Sequence, residues 1–399
     1  MEAKKNCILT INNGSSSIKF SLYQIEEKLV SLFDGEVLNT NTAHPTLHFK
    51  NHITDKKNNS NIKLDKDDDG TRFLINWLEK ELEVESLKAV VHRIVQGLDH
   101  TQPQKIDDVL LVELKTIAKY DSTHFPRSIK IIETIQKYFP ALLQIACFDT
   151  SFHTSIPQMA KLLPLPRRYY DAGIKRYGFH GISYSYIMKE LERLTEKETV
   201  QGKIILAHLG NGASMAAVKN GKCIDTSMSF SPASGMAMGT RSGDIDPNIA
   251  IYMLQQEKIT VDEFSTVVNE ESGLLGISAT TYNMQTIIQN KKVDKNALEA
   301  FEIFCYQAKK YIGSYAAALG GLQTLVFSGG IGENAHEVRS HMCAGLQFLG
   351  IEIDAEKNEN NAPIISTDDS EVCVRVIETN EAFVMATLAC EYLKINLKD

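Results

Sequence analysis

The chain carries one pattern twice: NNGSSSIKFSLYQ from Asn12 to Gln24, and LGNGASMAAVKNG from Leu209 to Gly221. Each copy follows a short apolar run, CILTIN (7–12) or KIILAHLG (203–210). Each continues as an alternating segment that favours a strand, IKFSLYQI (18–25) or MAAVKN (215–220), and then a third, LVSLFDGEVL (29–38) or CIDTS (223–227). In the two familiar phosphate motifs a glycine turn leads into a helix. Here it joins two strands of a meander. NG turns are common in hairpins, but both copies open an α/β stretch of similar size. The pattern therefore reads as an internal duplication, with two related domains and a cleft between them.

The rest of the chain fits an α/β class. Helical periodicity covers 71–82, 109–120 and 128–139, and buried-strand runs cover LKAVVHRIV (87–95) and LLQIACFDT (142–150). The polar stretch 40–70 reads as a solvated loop or a hairpin insertion. A third glycine turn, in TLVFSGGIGENAHEVRSHMCAGL (324–346), has the strand–glycine–helix order of a nucleotide site. The long helix before it (297–322) is read as core. A last helix, TNEAFVMATLACEYLKI (379–395), opens with a Thr/Asn cap and Glu381 in its first turn.

The 399 residues suggest two to three domains, and the net charge of −8 offers no general attraction to nucleic acid or an anionic membrane. No apolar run approaches the roughly 20 residues of a membrane span. The opening MEAKKNCILTINNG lacks the longer apolar region of a secretory signal. Seven scattered cysteines without a CxxC pair suggest reduced thiols and a cytoplasmic protein. The histidines show no zinc spacing.

Three glycine turns suit a bound polyphosphate, because small residues let backbone amides approach it closely. Arg93 in VVHRIVQG (90–97) and Arg241 in MGTRSGDIDP (238–247) offer forked donors for carboxylate and phosphoryl oxygens. His180 in KRYGFHGISY (175–184) and His208 in AHLGNG lie in glycine-rich contexts that favour function, whereas His92 and His153 read as structural. Asp149, Asp244, Asp246 and Glu381 are the available acids. Magnesium needs one or two carboxylates beside substrate phosphates. A carboxylate acceptor is already ionised and needs cations rather than a base. A hydroxyl acceptor with Asp149 as base stays open.

Taken together, TINNGSSSIKF, VVHRIVQG, FDTSFH, YGFHG, AHLGNGAS, DTSMSFSPASGMAMGTRSGDIDP, SGLLGIS, FSGGIGEN and TNEA resemble the acetate kinase family, in family order over nearly the whole chain. The resemblance implies two ribonuclease-H-like (actin-like ATPase) domains, 1–150 with 382–399 and 151–381, and a homodimer through the second. It implies reversible in-line phosphoryl transfer between ATP and acetate, giving ADP and acetyl phosphate, with Mg2+ or, alternatively, Mn2+. Carried over, Asn12, Ser17 and Lys19 lie by the phosphates, with His208, Gly210, Asn211 and Gly212 on the nucleotide phosphates. Gly330, Ile331, Asn334 and Asn283 serve the nucleoside. Arg93 and Arg241 bind acetyl phosphate and the transferring group, and His180 stabilises the transition state. Asp149 and Glu381, with Asn12, position the metal. Val95, Thr123, Phe179 and Pro232 form the acyl pocket. The chain departs from the family at Gln96–Leu98, at Thr123 to Phe125, at Ile182 and Tyr184 (the latter a family histidine), and at Asn283 and Gln285. These departures leave two alternatives: another short-chain carboxylate such as propionate as substrate, and a paralogue that binds nucleotide or acyl phosphate without turnover.

Overall fold

Both glycine-turn stretches fold as antiparallel meanders. The first comprises β1 (Cys7–Asn13), β2 (Ser17–Ile25) and β3 (Leu29–Leu38). β6 (Leu87–Ile94) pairs parallel with β1, and β8 (Leu143–Phe148) pairs parallel with β6. Beyond β3 lies an added hairpin of β4 (Thr46–Asn51) and β5 (Lys57–Asn61), so the polar stretch contains a hairpin insertion. A two-residue strand, β7 (Gln104–Lys105), closes the far edge, giving the order β5-β4-β3-β2-β1-β6-β8-β7. The computed structural model describes residues 6–14, 17–38, 44–64, 70–81, 86–118 and 125–398. Ser15, Ser16, Thr123 and the last two positions of the helix expected over 109–120 lie outside them.

Strand alternation decides what each face of this sheet meets. Leu9 and Ile11 of β1, with Ile18, Phe20 and Leu22 of β2, join Leu74, Ile75 and Leu78 of the helix Thr71–Glu81 and Ile131 and Ile135 of the helix Phe125–Tyr138 in one core. The apolar positions of both helices recur at helical spacing, which is why these segments coil and bury that stripe. The other face carries Thr10, Asn12 and Tyr23. There the C-terminal helix, Glu381–Tyr392, packs against β1 and β6, with Phe383 edge-on to Tyr23 at 6.2 Å. The Asn380 side chain caps this helix, accepting from the Phe383 amide (2.9 Å).

The second meander is β9 (Lys203–Leu209), β10 (Ala213–Lys219) and β11 (Lys222–Thr226), and β12 (Thr324–Ser328) and β13 (Cys373–Val376) add in parallel. The order is β11-β10-β9-β12-β13. The core of each sheet is therefore a three-strand meander followed by two parallel strands beside its first strand, the ribonuclease-H-like order of an actin-like ATPase. Ile204, Leu206, Ala216, Val218 and Val326 pack against Tyr184, Ile187, Met188 and Leu191 of the helix Gly181–Leu194. The long helix Lys295–Leu319 packs on β9 and β10, capped by Asp294 at its start and by left-handed Gly320 at its end.

The chain divides into two compact units, Met1–Ser151 with Asn380–Asp399, and Phe152–Thr379. Among the described residues no helix is long and apolar enough to cross a membrane. All seven cysteines are free thiols, six of them buried. Two local readings change. β8 stops at Phe148, and Asp149 opens a 3-10 turn, Asp149–His153, instead of ending the strand. The single helix expected after the third glycine turn is two, Gly329–Asn334 and His336–Cys343. The break is held open by Arg339, which donates to the carbonyls of Gly332 (2.8 Å) and Glu333 (2.9 Å) at the end of the first helix.

His92 on β6 is buried and donates from Nε2 to Gln144 Oε1 (2.8 Å). Burial pushes its pKa down to about 4, against the pull of that bond. The unfolded chain, with an ordinary histidine, takes up a proton first as pH falls, so stability is lost from about pH 6.5 towards pH 4, on the order of 3 kcal/mol in all. Urea denaturation at about pH 7.5 and about pH 5 is expected to show a larger loss in wild type than in His92→Asn. Equal losses would contradict this assignment.

Candidate functional site

In the first unit, Asn12, Arg93 and Asp149 converge at the C-terminal ends of the three parallel strands β1, β6 and β8. These strand ends are where open α/β sheets hold ligands. Asp149 is fully buried, and a buried carboxylate has to be paired. Arg93 supplies the pairing, donating to Asp149 Oδ2 from Nε (3.0 Å) and Nη2 (2.5 Å). Its Nη1 donates to Asn12 Oδ1 (3.1 Å) and lies 3.3 Å from Glu381 Oε2. Asn12 Nδ2 donates to the same Glu381 oxygen at 2.7 Å. Burial opposes the Arg93 charge, but the Asp149 carboxylate and then Glu381 outweigh it, so the arginine pKa rises. One guanidinium thus orients two carboxylates and an amide. That donor set, all hard oxygen, fits a cation such as magnesium that keeps most of its ligands as water and phosphate. No group of three or more His, Cys, Asp or Glu side chains that could hold a metal ion occurs among the described residues, so any cation here would take most of its ligands from phosphate and water.

The other first-unit candidates are looser. Lys19 stands directly opposite Asn12 in register, but its ammonium is exposed and pairs at 3.7 Å with Glu36. Ser17 opens β2, and its carbonyl accepts from the Gly14 amide (2.8 Å). Val95 follows β6 and is half-buried. Thr123 lies outside the described residues.

In the second unit, the turn after β9 brings two cationic or potentially cationic side chains to one point. A β-carbon on Gly212 would stand 3.2 Å from His180 Nε2 and 3.5 Å from Arg241 Nη2, so glycine keeps that space open. His180 is held in the left-handed region (φ 59°) at the start of the helix Gly181–Leu194, with its ring stacked on His208 at 4.3 Å. Its Nδ1 lies 2.9 Å from Ser214 Oγ, and Tyr184 Oη lies 2.6 Å from the same oxygen. His208 Nδ1 is 2.8 Å from Ser183 Oγ, which in turn bonds Thr379 Oγ1. Arg241 is aimed by donating from Nη1 to the Pro232 carbonyl (2.9 Å). Gly210 and Gly212 close the turn by a backbone bond of 3.0 Å, and the Asn211 carbonyl accepts from the Gly239 amide (2.8 Å). Phe179 is buried beside His180, and its carbonyl accepts from His153.

Ser328 pairs with His208 in register, so the β9 and β12 turns leave the sheet at the same end. Gly329 takes φ 76° there, and a β-carbon on it would meet the Leu209 carbonyl oxygen at 2.7 Å. Glu333 Oε1 accepts from the Gly329 amide (2.8 Å) and the Thr379 amide (3.1 Å), and burial pushes its carboxyl up despite these bonds. Gly330 faces open space, next to Ile331, and Asn334 Nδ2 donates back to the Gly330 carbonyl. Asn283 is engaged differently: it caps the helix Met284–Asn290, accepting from the Thr286 amide (3.0 Å), and Gln285 beside it is exposed.

Several supporting residues have no motif of their own. From the long helix, Gln307 Oε1 accepts from the Ala237 amide (2.6 Å) and Tyr311 Oη donates to Asp244 Oδ2 (2.7 Å). Asp244 Oδ1 also accepts from the Gly235 amide, so it ties down the Arg241 loop. Asp246 is a helix cap, accepting from the Asn248 amide. Arg339 is wholly buried, and besides Gly332 and Glu333 it bonds Asn358 and Asn361. Burial lowers its pKa to about 10, so it stays charged at neutral pH. Gln307 and Tyr311 are half-buried and stand four residues apart on one face of a helix otherwise read as core.

The acetokinase family model matches residues 7–387. An acetate kinase from Thermoanaerobacterium thermosaccharolyticum is 40% identical over 394 residues, covering 95% of this chain and 97% of the relative. An acetate kinase from Thermotoga maritima is 37% identical over 393 residues, covering 95% and 96%. Among solved structures, a Porphyromonas gingivalis acetate kinase superposes with a TM-score of 0.84 at 31% identity, covering 98% of this chain and 99% of that one. A Francisella tularensis propionate kinase superposes with a TM-score of 0.88 at 35% identity, covering 96% and 98%.

The Arg93–Asp149 pair makes a stability prediction that needs no substrate. Arg93→Ala removes two bonds from a fully buried carboxylate and is expected to cost about 3 kcal/mol. Asp149→Asn in the same background is expected to recover part of that loss, because the buried charge is gone. Denaturation curves with no loss in Arg93→Ala, or none recovered in the double variant, would count against the pairing.

Proposed function

Because the chain belongs to the acetokinase family, we infer that it catalyses reversible phosphoryl transfer between ATP and acetate, giving ADP and acetyl phosphate. It is a phosphotransferase with a carboxyl group as acceptor. Enzymes of this family act on small-molecule substrates with ATP or ADP and a divalent cation. The observation that carries the reading is the meeting of His180 Nε2 and Arg241 Nη2 beside Gly212, a preorganised donor pair for phosphoryl oxygens.

Phosphoryl transfer asks the protein for positioning and charge stabilisation. Arg241 and His180 hold the transferring group as its charge spreads over the equatorial oxygens, and Arg93 holds the acyl phosphate. In the second unit the amides and small side chains of Gly210 to Gly212, with His208, would serve the nucleotide phosphates, and the family resemblance assigns phosphate contacts to Asn12, Ser17 and Lys19 of the first. Gly330, Ile331 and Asn334 would receive the nucleoside, and Asn283 is assigned to it by the family resemblance alone, since its side chain is engaged as a helix cap. Glu381 and Asn12 would hold magnesium, with Asp149 helping to position it through Arg93, and the cation when bound would neutralise phosphate charge. The acceptor carboxylate is already an anion, so no base is required. Asp149 Oδ2 is occupied by two arginine bonds, which favours this reading over a hydroxyl acceptor with Asp149 as base. Val95, Phe179 and Pro232, with Thr123, are the residues that the family resemblance assigns to the acyl group. Propionate is the second reading, favoured by the similarity to a propionate kinase structure.

We also propose a homodimer through the second unit. The helix Pro247–Gln255 has no buried residue and exposes Ile249, Ile251 and Tyr252, an apolar surface of the kind that marks interfaces. Sedimentation at micromolar concentration is expected to give a dimer, and a monomer would refute this.

Acyl phosphate formed with ATP is trapped by hydroxylamine. Acetate, or propionate as the second reading, is expected to give hydroxamate, and Arg241→Ala is expected to lose at least about 100-fold in kcat, as removal of a transition-state donor does. No hydroxamate from folded protein with either acid would remove the catalytic reading. Near-normal turnover in Arg241→Ala would remove that residue's role.

A further inference from the structure

We propose that Tyr184 and Ser214 form a hydroxyl relay that holds His180 as the Nε2–H tautomer, with Nδ1 an acceptor. The proposal deepens the kinase reading and rests on it for the meaning of Nε2, but not for the state of the ring.

Ser214 Oγ lies 2.6 Å from Tyr184 Oη and 2.9 Å from His180 Nδ1, and both Ser214 and Tyr184 are fully buried. A serine hydroxyl has one proton and can donate to only one of these neighbours. If it donates to Tyr184, the imidazole must donate from Nδ1. If it donates to Nδ1, Tyr184 donates to Ser214. A phenol is the more acidic hydroxyl, hence the better donor and poorer acceptor, so the proton order runs Tyr184 to Ser214 to His180. The short Tyr184–Ser214 separation agrees with a phenol donor. The neutral imidazole then carries its proton on Nε2, and that atom is the one beside Gly212 and Arg241 Nη2. Two N–H donors point to one place, and the ring accepts no proton there. With the opposite tautomer, a lone pair would face the phosphoryl oxygens and repel them. Tyr184 and Ser214 are positioning residues, since neither is placed on the substrate.

The ring is fixed from two further sides. Its backbone is in the left-handed region, and its face is stacked on His208. The relay therefore has little else to do than set the proton.

Protein labelled with 15N-histidine, with the His180 signals assigned by His180→Asn, reports the tautomer directly at about pH 8. The expected pattern is protonated Nε2 and bare Nδ1 in wild type. A protonated Nδ1 would overturn the proposal without using any variant. Tyr184→Phe keeps the ring and removes only the hydroxyl. It is expected to mix the tautomers and to lower kcat about tenfold, with KM for ATP and acetate within about twofold. Ser214→Ala is expected to do the same, and Ser214→Thr to restore both signals and kcat. An unchanged His180 pattern in both Tyr184→Phe and Ser214→Ala would also overturn it. Absence of kinase activity in wild type would strike the functional reading alone, because the nitrogen signals are read without substrate.

Discussion

The buried Asp149 carboxylate and the Arg93 guanidinium bound to it are the constraint on which the first unit's chemistry depends. A fully buried carboxylate is tolerated only with a partner, and the partner has to arrive with the right geometry. β6 brings it, because its pairing with β8 sets Arg93 opposite Cys147, two residues before Asp149. Once the fork is occupied, the remaining guanidinium nitrogen faces Asn12 and Glu381. Those residues come from β1 and from a helix that follows almost the whole chain. A long-range salt bridge thus defines a small oxygen-rich centre. A pair of this kind contributes little net stability, but breaking it is costly, which suits a centre that must not relax.

The second unit solves a different problem with the same topology. Its meander turn is short enough that Gly212 leaves room between a histidine and an arginine from distant parts of the chain. Here the constraint is steric, where in the first unit it is ionic. Around that opening three side chains are tethered: His180 to Ser214, His208 to Ser183, Arg241 to the Pro232 carbonyl. On the proposed reading, such tethering would limit the reorganisation needed when charge moves to a transferring group.

Much of this was legible in local sequence. The repeated apolar run, glycine turn and alternating strand marked both meanders, and alternation of strand and helix marked the class. The catalytic candidates were legible because they sit in glycine-rich or strand-end contexts. What was not legible depends on distance. Gln307 and Tyr311 read as part of a core helix, since nothing near them in sequence shows that Ala237 and Asp244 lie opposite. Nothing local singles out Arg339, which is buried and interrupts the helix expected after the third glycine turn by taking its carbonyls. β13 is only four residues long, CVRV, too short for alternation to declare it. Tyr184 shows the same limit in reverse: the sequence exposed a departure from the family's histidine, but only the fold shows that its hydroxyl meets Ser214.

The central claim is that the acceptor carboxylate attacks phosphorus directly, with the protein supplying donors and no covalent relay. ATP made chiral at the γ-phosphorus with oxygen isotopes tests this. A single in-line transfer to the acceptor carboxylate inverts configuration, so the acyl phosphate formed by this chain should be inverted. Overall retention would require two transfers through an enzyme-bound phosphoryl group and would contradict the account.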